Sequence, residues 1–313
     1  MSANTAIATA ALPPPNAEAR HRVRLISGYV LMAALLLGLA AYGFDYYTIA
    51  SAERPSSAKH ALLKPSGAIG LNLGILGLVM FLVIFLYPIR KRWAWLGKRG
   101  KSKHWLDVHV LLGISAPFVI AFHSSFKFSG VAGMAFWIMV AVAISGVVGR
   151  YLYAQIPRSL SAAETSLKDS QELQTRLVQQ LAEQELISAA DLGPLFRLPS
   201  AERVRKMPML AALGHMLALD AARPLRVARV RLKTLGWSAA LRTCGGLIRS
   251  ENAGLETVIK TARQQAAISK RILFLSRSQQ VFHLWHVVHR PFSYSFAVLA
   301  CLHIAVVLLL GYM

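Results

Sequence analysis

Long apolar runs alternate with short polar connections along this chain. Five of the runs, at about 25–47, 68–89, 105–126, 131–153 and 281–311, are long enough to span a bilayer as helices. The third is the least apolar, because it carries Asp107, His109 and His123. The last opens on a polar stretch, SQQVFHLWHVVHR, and closes on AVVLLLGYM, so its first part is expected beyond the bilayer or at its interface. The pattern predicts an all-α integral membrane protein built on a five-helix transmembrane bundle. Its organisation reads as a disordered tail over 1–24, four spans over 25–153, a helical insertion over 154–280 and a fifth span over 281–313.

The flanks refine that outline. Residues 1–19 are small, polar and Pro-rich, the composition of a disordered tail. Positive charge follows this stretch, at Arg20, Arg22 and Arg24, so a cleaved signal peptide is not expected. Within the insertion, Leu167, Leu173, Leu177, Leu181 and Leu186 fall at helical spacing, and RPLRVARVRLKTLGWSAALR is basic and amphipathic. Pro194, Pro199, Pro208 and Pro224 punctuate it. A small helical region lying partly at the inner membrane surface is the expectation.

Charge gives the runs an orientation. The formal net charge is +21, with 55% hydrophobic residues. On a soluble chain such an excess would suggest nucleic acid; here the basic residues flank apolar runs, so topology and contact with anionic lipid account for them, and no nucleic-acid partner is expected. The 90–103 loop holds seven Lys and Arg, against three in 48–67 (Arg54, Lys59, Lys64) and one, Lys127, in 125–130. The N-terminus, the 90–103 loop and the 154–280 insertion are therefore expected in the cytoplasm and the C-terminus outside, in a bacterial inner membrane.

Familiar cofactor motifs are missing. The two cysteines, Cys244 and Cys301, are far apart, and no CxxC, CxxCH, GxGxxG or P-loop pattern occurs. Covalent haem, Cys-ligated clusters, and flavin, nicotinamide or nucleotide sites of known pattern are not expected. Electrons, if the chain moves them, must come from a partner or a quinone.

Histidine supplies the remaining chemistry. His109 and His123 are separated by 14 residues, as are His289 and His303. On a helix that spacing rises roughly 21 Å and returns to within about 40° of one face. With the orientation above, His109 and His289 lie toward the cytoplasm and His123 and His303 toward the outside. Imidazole is an axial ligand for haem iron, so each cross-helix pair, between the third and fifth spans, can hold one haem b. Between the ligands stand Gly113, Ala116 and Ile120 on one helix and Ser293, Phe296 and Ala300 on the other, and Pro117 bends the first, freeing a carbonyl near Gly113. His104 and His286 fall out of register by about 100°, and with His283 they are expected at the interface, or in contact with propionate, proton or quinone. Arg150, Arg290 and Lys127 are candidate propionate partners, or ordinary snorkelling flanks. Asp107 reads as a proton relay or as a first-turn helix acid. Trp105, Trp137, Trp285, Tyr151 and Tyr153 read as interfacial belt residues. Gly70, Gly74 and Gly77 include a small-xxx-small spacing that permits close helix contact.

The two H-x13-H helices, around 104–153 and 281–306, resemble the di-haem membrane cytochromes b, including the cytochrome b of quinol:cytochrome c oxidoreductases and the ferric-reductase-like transmembrane proteins. The resemblance rests on His109, His123, His289 and His303. It implies transmembrane electron transfer, exchange with quinone or quinol, and a partner redox subunit or cytochrome, as part of a membrane oxidoreductase. There are fewer spans than in some of these families, and no flavin or NADPH domain follows the last span, so a self-contained NADPH-driven reductase is not expected. Three alternatives remain open: a ferric or other reductase subunit fed by a separate flavoprotein, a non-haem metal transporter lined by histidine, and a structural anchor.

Overall fold

The computed structural model describes residues 17–157, 163–166, 168, 169, 171, 172, 175, 176, 179 and 198–311. Leu167, Leu173, Leu177, Leu181, Leu186 and Pro194 lie outside them, as do residues 1–16. The described elements are helical. In chain order they are α1 (Ala17–Thr48), a 3-10 turn at Arg54–Ser56, α2 (His60–Leu63), α3 (Ala68–Arg90), α4 (Ala94–Gly97), α5 (Ser102–His123), α6 (Gly130–Gln155), α7 (Ala201–Lys206), α8 (Met209–Arg242), α9 (Ala253–Leu273) and α10 (Leu275–Leu309). Five of them, α1, α3, α5, α6 and α10, are long and apolar enough to cross a membrane.

The chain divides into two compact units, residues 1–147 with 289–313, and residues 148–288. In the first, α3 and α5 form a tight antiparallel pair, and α1 packs along α5. A cluster of Leu73 and Met80 from α3, Ala116, Val119 and Phe122 from α5, and Phe136 and Met139 from α6 is buried, with Phe296 of α10 packed against it. Leu31 and Leu37 of α1 and Val298 of α10 are exposed, the distribution of helices that meet lipid on their outer faces. Lipid offers apolar side chains as much as a neighbouring helix does, so close backbone approach and interhelical hydrogen bonds must hold such a pair. α3 supplies both. A Cβ on Gly77 would stand 2.4 Å from the Ile120 side chain, and one on Gly74 2.7 Å from the His123 ring.

Two loops fix the ends of the pair. Arg90, buried at the end of α3, donates to Ser102 Oγ and to the Gly97 and Gly100 carbonyls at 2.8 Å each, which folds the basic 90–103 loop onto itself. At the opposite end, buried Arg54 donates to the carbonyls of Ile49, Tyr47 and Ser125. α5 stops at His123, short of the expected 126, because Ser125 and Phe126 take left-handed backbone with φ of 49° and 58°. Such angles cost about 1–3 kcal/mol each. Arg54 and the Ser125 hydroxyl, which donates to the Leu63 carbonyl at 2.6 Å, offset that cost.

In the second unit, α8 and α9 are joined by a buried ion pair. Arg231 meets both Glu256 oxygens, at 2.8 and 2.7 Å, and donates to the Gly246 carbonyl. α9 buries Leu255, Val258, Ile259, Ala262 and Ala266 along one stripe, and its cap is the Asn252 side chain on Leu255 N–H. Gly149 receives the Trp285 ring so closely that a Cβ would lie 2.2 Å from it. Cys244 and Cys301 are exposed free thiols.

Candidate electron-transfer site

The four histidines are half-buried on two helices of the first unit, His109 and His123 on α5 and His289 and His303 on α10, with Ser145 of α6 beside His289. His109 Nδ1 lies 3.0 Å from the Ile84 carbonyl oxygen, and His123 Nδ1 lies 2.8 Å from that of Gly70. A carbonyl only accepts, so Nδ1 carries the proton in both rings and the lone pair sits on Nε2. The two acceptors on α3 are 14 residues apart, the same interval that separates the two histidines on α5. Antiparallel packing converts that shared interval into two matched contacts at two depths.

Each acceptor is available for a local reason. Pro88 has no N–H to give to Ile84 four residues earlier, so that carbonyl lacks its helical donor and His109 fills the vacancy. At Gly70 the carbonyl is reachable because Gly74 has no side chain in the path of the ring. His289 is set in the same tautomer by another route. The Ser145 hydroxyl donates its one proton to the Val142 carbonyl at 2.8 Å, so at 2.7 Å it accepts from His289 Nδ1–H. Three of the four rings therefore point the same atom, Nε2, away from their support, which is how metal-bound imidazoles are held by outer partners.

Two glycines near the rings have little packed against them. A Cβ on Gly113, between His109 and His123, would meet nothing within 4 Å, and one on Gly146 would approach only His289, at 3.8 Å. His289, Ser293, Phe296, Ala300 and His303 share one half-buried stripe of α10, and Phe296 meets Phe81 of α3 edge-on at 5.6 Å. His123 and His303 lie within electrostatic reach of each other. The Lys91 ammonium, at the end of α3, is within reach of both the His109 ring and the Arg290 guanidinium. Burial and then Arg290 push the Lys91 ammonium below its ordinary value. Lys91 was not singled out by the sequence, where it was one basic residue in a loop of seven. Arg290 and Lys127 are exposed, and Arg150 is a half-buried residue of the second unit.

The remaining histidines have other partners. His104 stacks on His21 at 3.7 Å and pairs with Glu18, which also takes Lys103. His286 Nδ1 turns to its own helix, 3.2 Å from the Phe282 carbonyl, and His283 is exposed. Asp107 is buried in the second turn of α5, since the helix starts at Ser102; His21 of α1 meets it at 3.1 Å, so a partner side chain holds the acid where a first-turn helix dipole was expected to. His21 escaped the sequence reading because it falls among the arginines ahead of the first apolar run. Among the described residues no three His, Cys, Asp or Glu side chains converge as a metal cluster, and a bis-His haem site needs only two.

No protein-family model matches the chain, and no curated protein or solved structure matches it either.

Proposed function

We propose that this multi-pass membrane protein carries electrons across the bilayer through two bis-His b-type haems, one held by His109 and His289 and the other by His123 and His303. The observation that carries the reading is the matched 14-residue interval of imidazoles on α5 and carbonyls on α3, which holds both rings in the tautomer with Nε2 as the ligating atom. Ser145 does the same for His289. Haem b, when bound, supplies a one-electron Fe(III)/Fe(II) couple. The chain's own residues ligate, fix ring orientation and raise imidazole basicity through the Nδ1–H bonds. Gly113 and Gly146 leave room beside the ligands. Lys91 and Arg290 offer cationic partners for a propionate at the His109 level, and Lys127 is a candidate at the His123 level. Electrons would be exchanged with quinone or quinol and with a partner redox protein, making the chain a subunit of a membrane oxidoreductase of a respiratory chain. The N-terminus, the 90–103 loop and the 154–280 insertion are cytoplasmic in this reading.

A second reading has one observation in its favour. Imidazoles bonded to a neighbouring helix's carbonyls, as His109 and His123 are, also serve as interhelical staples in proteins without metal. The purified full-length protein separates the two. Electron transfer requires reduced-minus-oxidised bands of haem b and two haems per chain. His303→Ala, which removes a ring with no hydrogen bond among the described residues, should leave one haem and an intact fold. A colourless protein from haem-replete cells would leave the staple reading.

A further inference from the structure

Two further histidines meet where α1 and α5 begin. Glu18 and His21 are three residues apart on α1, and His104 and Asp107 are three apart on α5. Each pair therefore shares a helix face. His21 Nε2 lies 3.1 Å from an Asp107 oxygen, and His104 Nε2 lies 3.3 Å from a Glu18 oxygen. Both contacts join residues 86 apart in the chain, as two helices running in the same direction require. The imidazoles are brought face to face, with centroids 3.7 Å apart and planes 17° apart. Both rings are shielded, at 16% and 23% side-chain exposure, and Asp107 is at 7%.

A carboxylate only accepts, so Nε2 carries a proton in each ring and Nδ1 is the atom left to take another. Glu18 and Asp107 supply the carboxylates at the rings, and Lys103 also binds Glu18. Arg20, Arg22 and Arg24 of α1 and Lys101 before α5 are exposed, and the Arg90 guanidinium of the adjoining loop is committed to Ser102 and two carbonyls. Among the groups in contact with neutral rings, then, two carboxylates meet one ammonium. One further proton balances them. A second would set two imidazolium rings against each other at 3.7 Å, where like charges resist joint ionisation.

We infer that His21 and His104 hold a single proton between them and that this proton clasps α1 to α5. A hydrogen bond from a charged donor is the stronger kind, so the clasp tightens when the proton is taken up and slackens when it is lost. α1 has need of such a tie, because Val30, Leu31 and Leu37 are among many of its positions that face outward. Imidazole ordinarily changes charge between about pH 5 and 8, the range over which the clasp operates. The inference does not depend on haem.

The full-length protein in neutral detergent is followed by amide hydrogen exchange between about pH 8 and about pH 6, corrected for intrinsic rates and read on peptides covering residues 20–30 and 110–120. Protection of the first should rise about fivefold toward the lower pH, the difference between charged and neutral hydrogen bonds, while the second stays level. Glutamine keeps an N–H donor for each carboxylate and takes no proton. The double variant His21→Gln, His104→Gln should therefore lose the rise, and either single variant should keep it, since the remaining ring can hold the proton. Difference titration of the parent against the double variant, between about pH 8 and about pH 5.5, should show about one proton taken up where independent rings would take about two. The parent's own exchange profile stands as the test if a variant does not fold. Protection of 20–30 that is level with pH in the parent, a rise that survives in the double variant, or uptake of two protons would overturn the clasp.

Discussion

The His123 ring donates from Nδ1 to the carbonyl of Gly70 at 2.8 Å, and it reaches that oxygen over a gap left open by Gly74. The glycine spacing thus has a specific user. A methyl at position 74 would stand 2.7 Å from Cε1 and 2.8 Å from Nδ1 of the ring, with the α3 backbone fixed on the other side. Gly74→Ala should therefore push the ring off its carbonyl and destabilise the α3/α5 pair by about 1–3 kcal/mol; under the proposed di-haem reading it should also strip the haem at the His123 level while the His109 level keeps its own. Haem content per chain and thermal unfolding measure this. Unchanged haem content and melting temperature in Gly74→Ala would contradict the assigned contact.

Pro88 gives the other level its signature. Substituting Ala restores an N–H that can bond the Ile84 carbonyl, the same acceptor that His109 uses. The helix gains a bond and the imidazole loses an exclusive partner, so this change separates structural from ligand effects. Pro88→Ala should leave thermal stability equal or higher and, under the proposed di-haem reading, lower haem affinity at the His109 level toward the mild end of the roughly 10–100-fold range seen when outer partners of metal-bound imidazoles are removed. The midpoint potential of that haem should rise, because a less basic ligand stabilises Fe(III) less. Redox titration with the His123 level as internal reference checks it; a shift of both haems together would count against a local effect.

Much of the fold is legible in the chain itself. Five apolar runs gave five helices because length and apolar composition together decide what can cross a bilayer. Their ends were less legible. α1 begins at Ala17, within the stretch expected to be a disordered tail, and its polar first turns are tied to α5 by His21 on Asp107 and Glu18 on Lys103 and His104. That is a contact between segments some 85 residues apart, which no local pattern reveals. The histidine intervals were legible, whereas their acceptors depended on the α3/α5 register. One signal was available: the rule that led from Pro117 to a freed carbonyl at Gly113 leads equally from Pro88 to Ile84.

Acid should loosen the second unit first through two carboxylates. Burial alone would raise the Asp220 carboxyl, but Lys270 and Tyr151 hold it below the usual carboxylate range. Burial opposes, and Arg231 and Ser250 likewise hold down, the Glu256 carboxyl. A carboxyl whose folded pKa lies below its unfolded one binds its proton later in the folded state. Its contribution to stability is therefore complete above about pH 4–4.5, the unfolded range, and is lost as the pH falls through the folded value. Hydrogen exchange of α8 and α9 amides, corrected for intrinsic rates, should show protection falling below about pH 4. Glu256→Gln should flatten that fall at the cost of lower protection at neutral pH. Protection that is flat down to about pH 2 would remove these ion pairs from the unit's stability.

The orientation rests on a difference in basic residues between two loops that the structure holds firmly at opposite ends of α3, one by Arg54 and the other by Arg90. Both loops carry exposed positions suited to labelling. With Cys244 and Cys301 replaced by Ser, a single cysteine at Ser56 or at Lys98 reports which face each loop occupies. Neither side chain anchors its loop, so the substitutions should leave the helices in place. If the seven basic residues of 90–103 retain that loop in the cytoplasm, a membrane-impermeant maleimide added to intact cells labels Ser56→Cys and spares Lys98→Cys until the cells are opened. The His109 level then faces the cytoplasm, beside Lys91 and Arg290, and the His123 level faces the Arg54 clamp outside. The reverse labelling pattern would invert both levels and, with them, the side at which each exchange partner must dock.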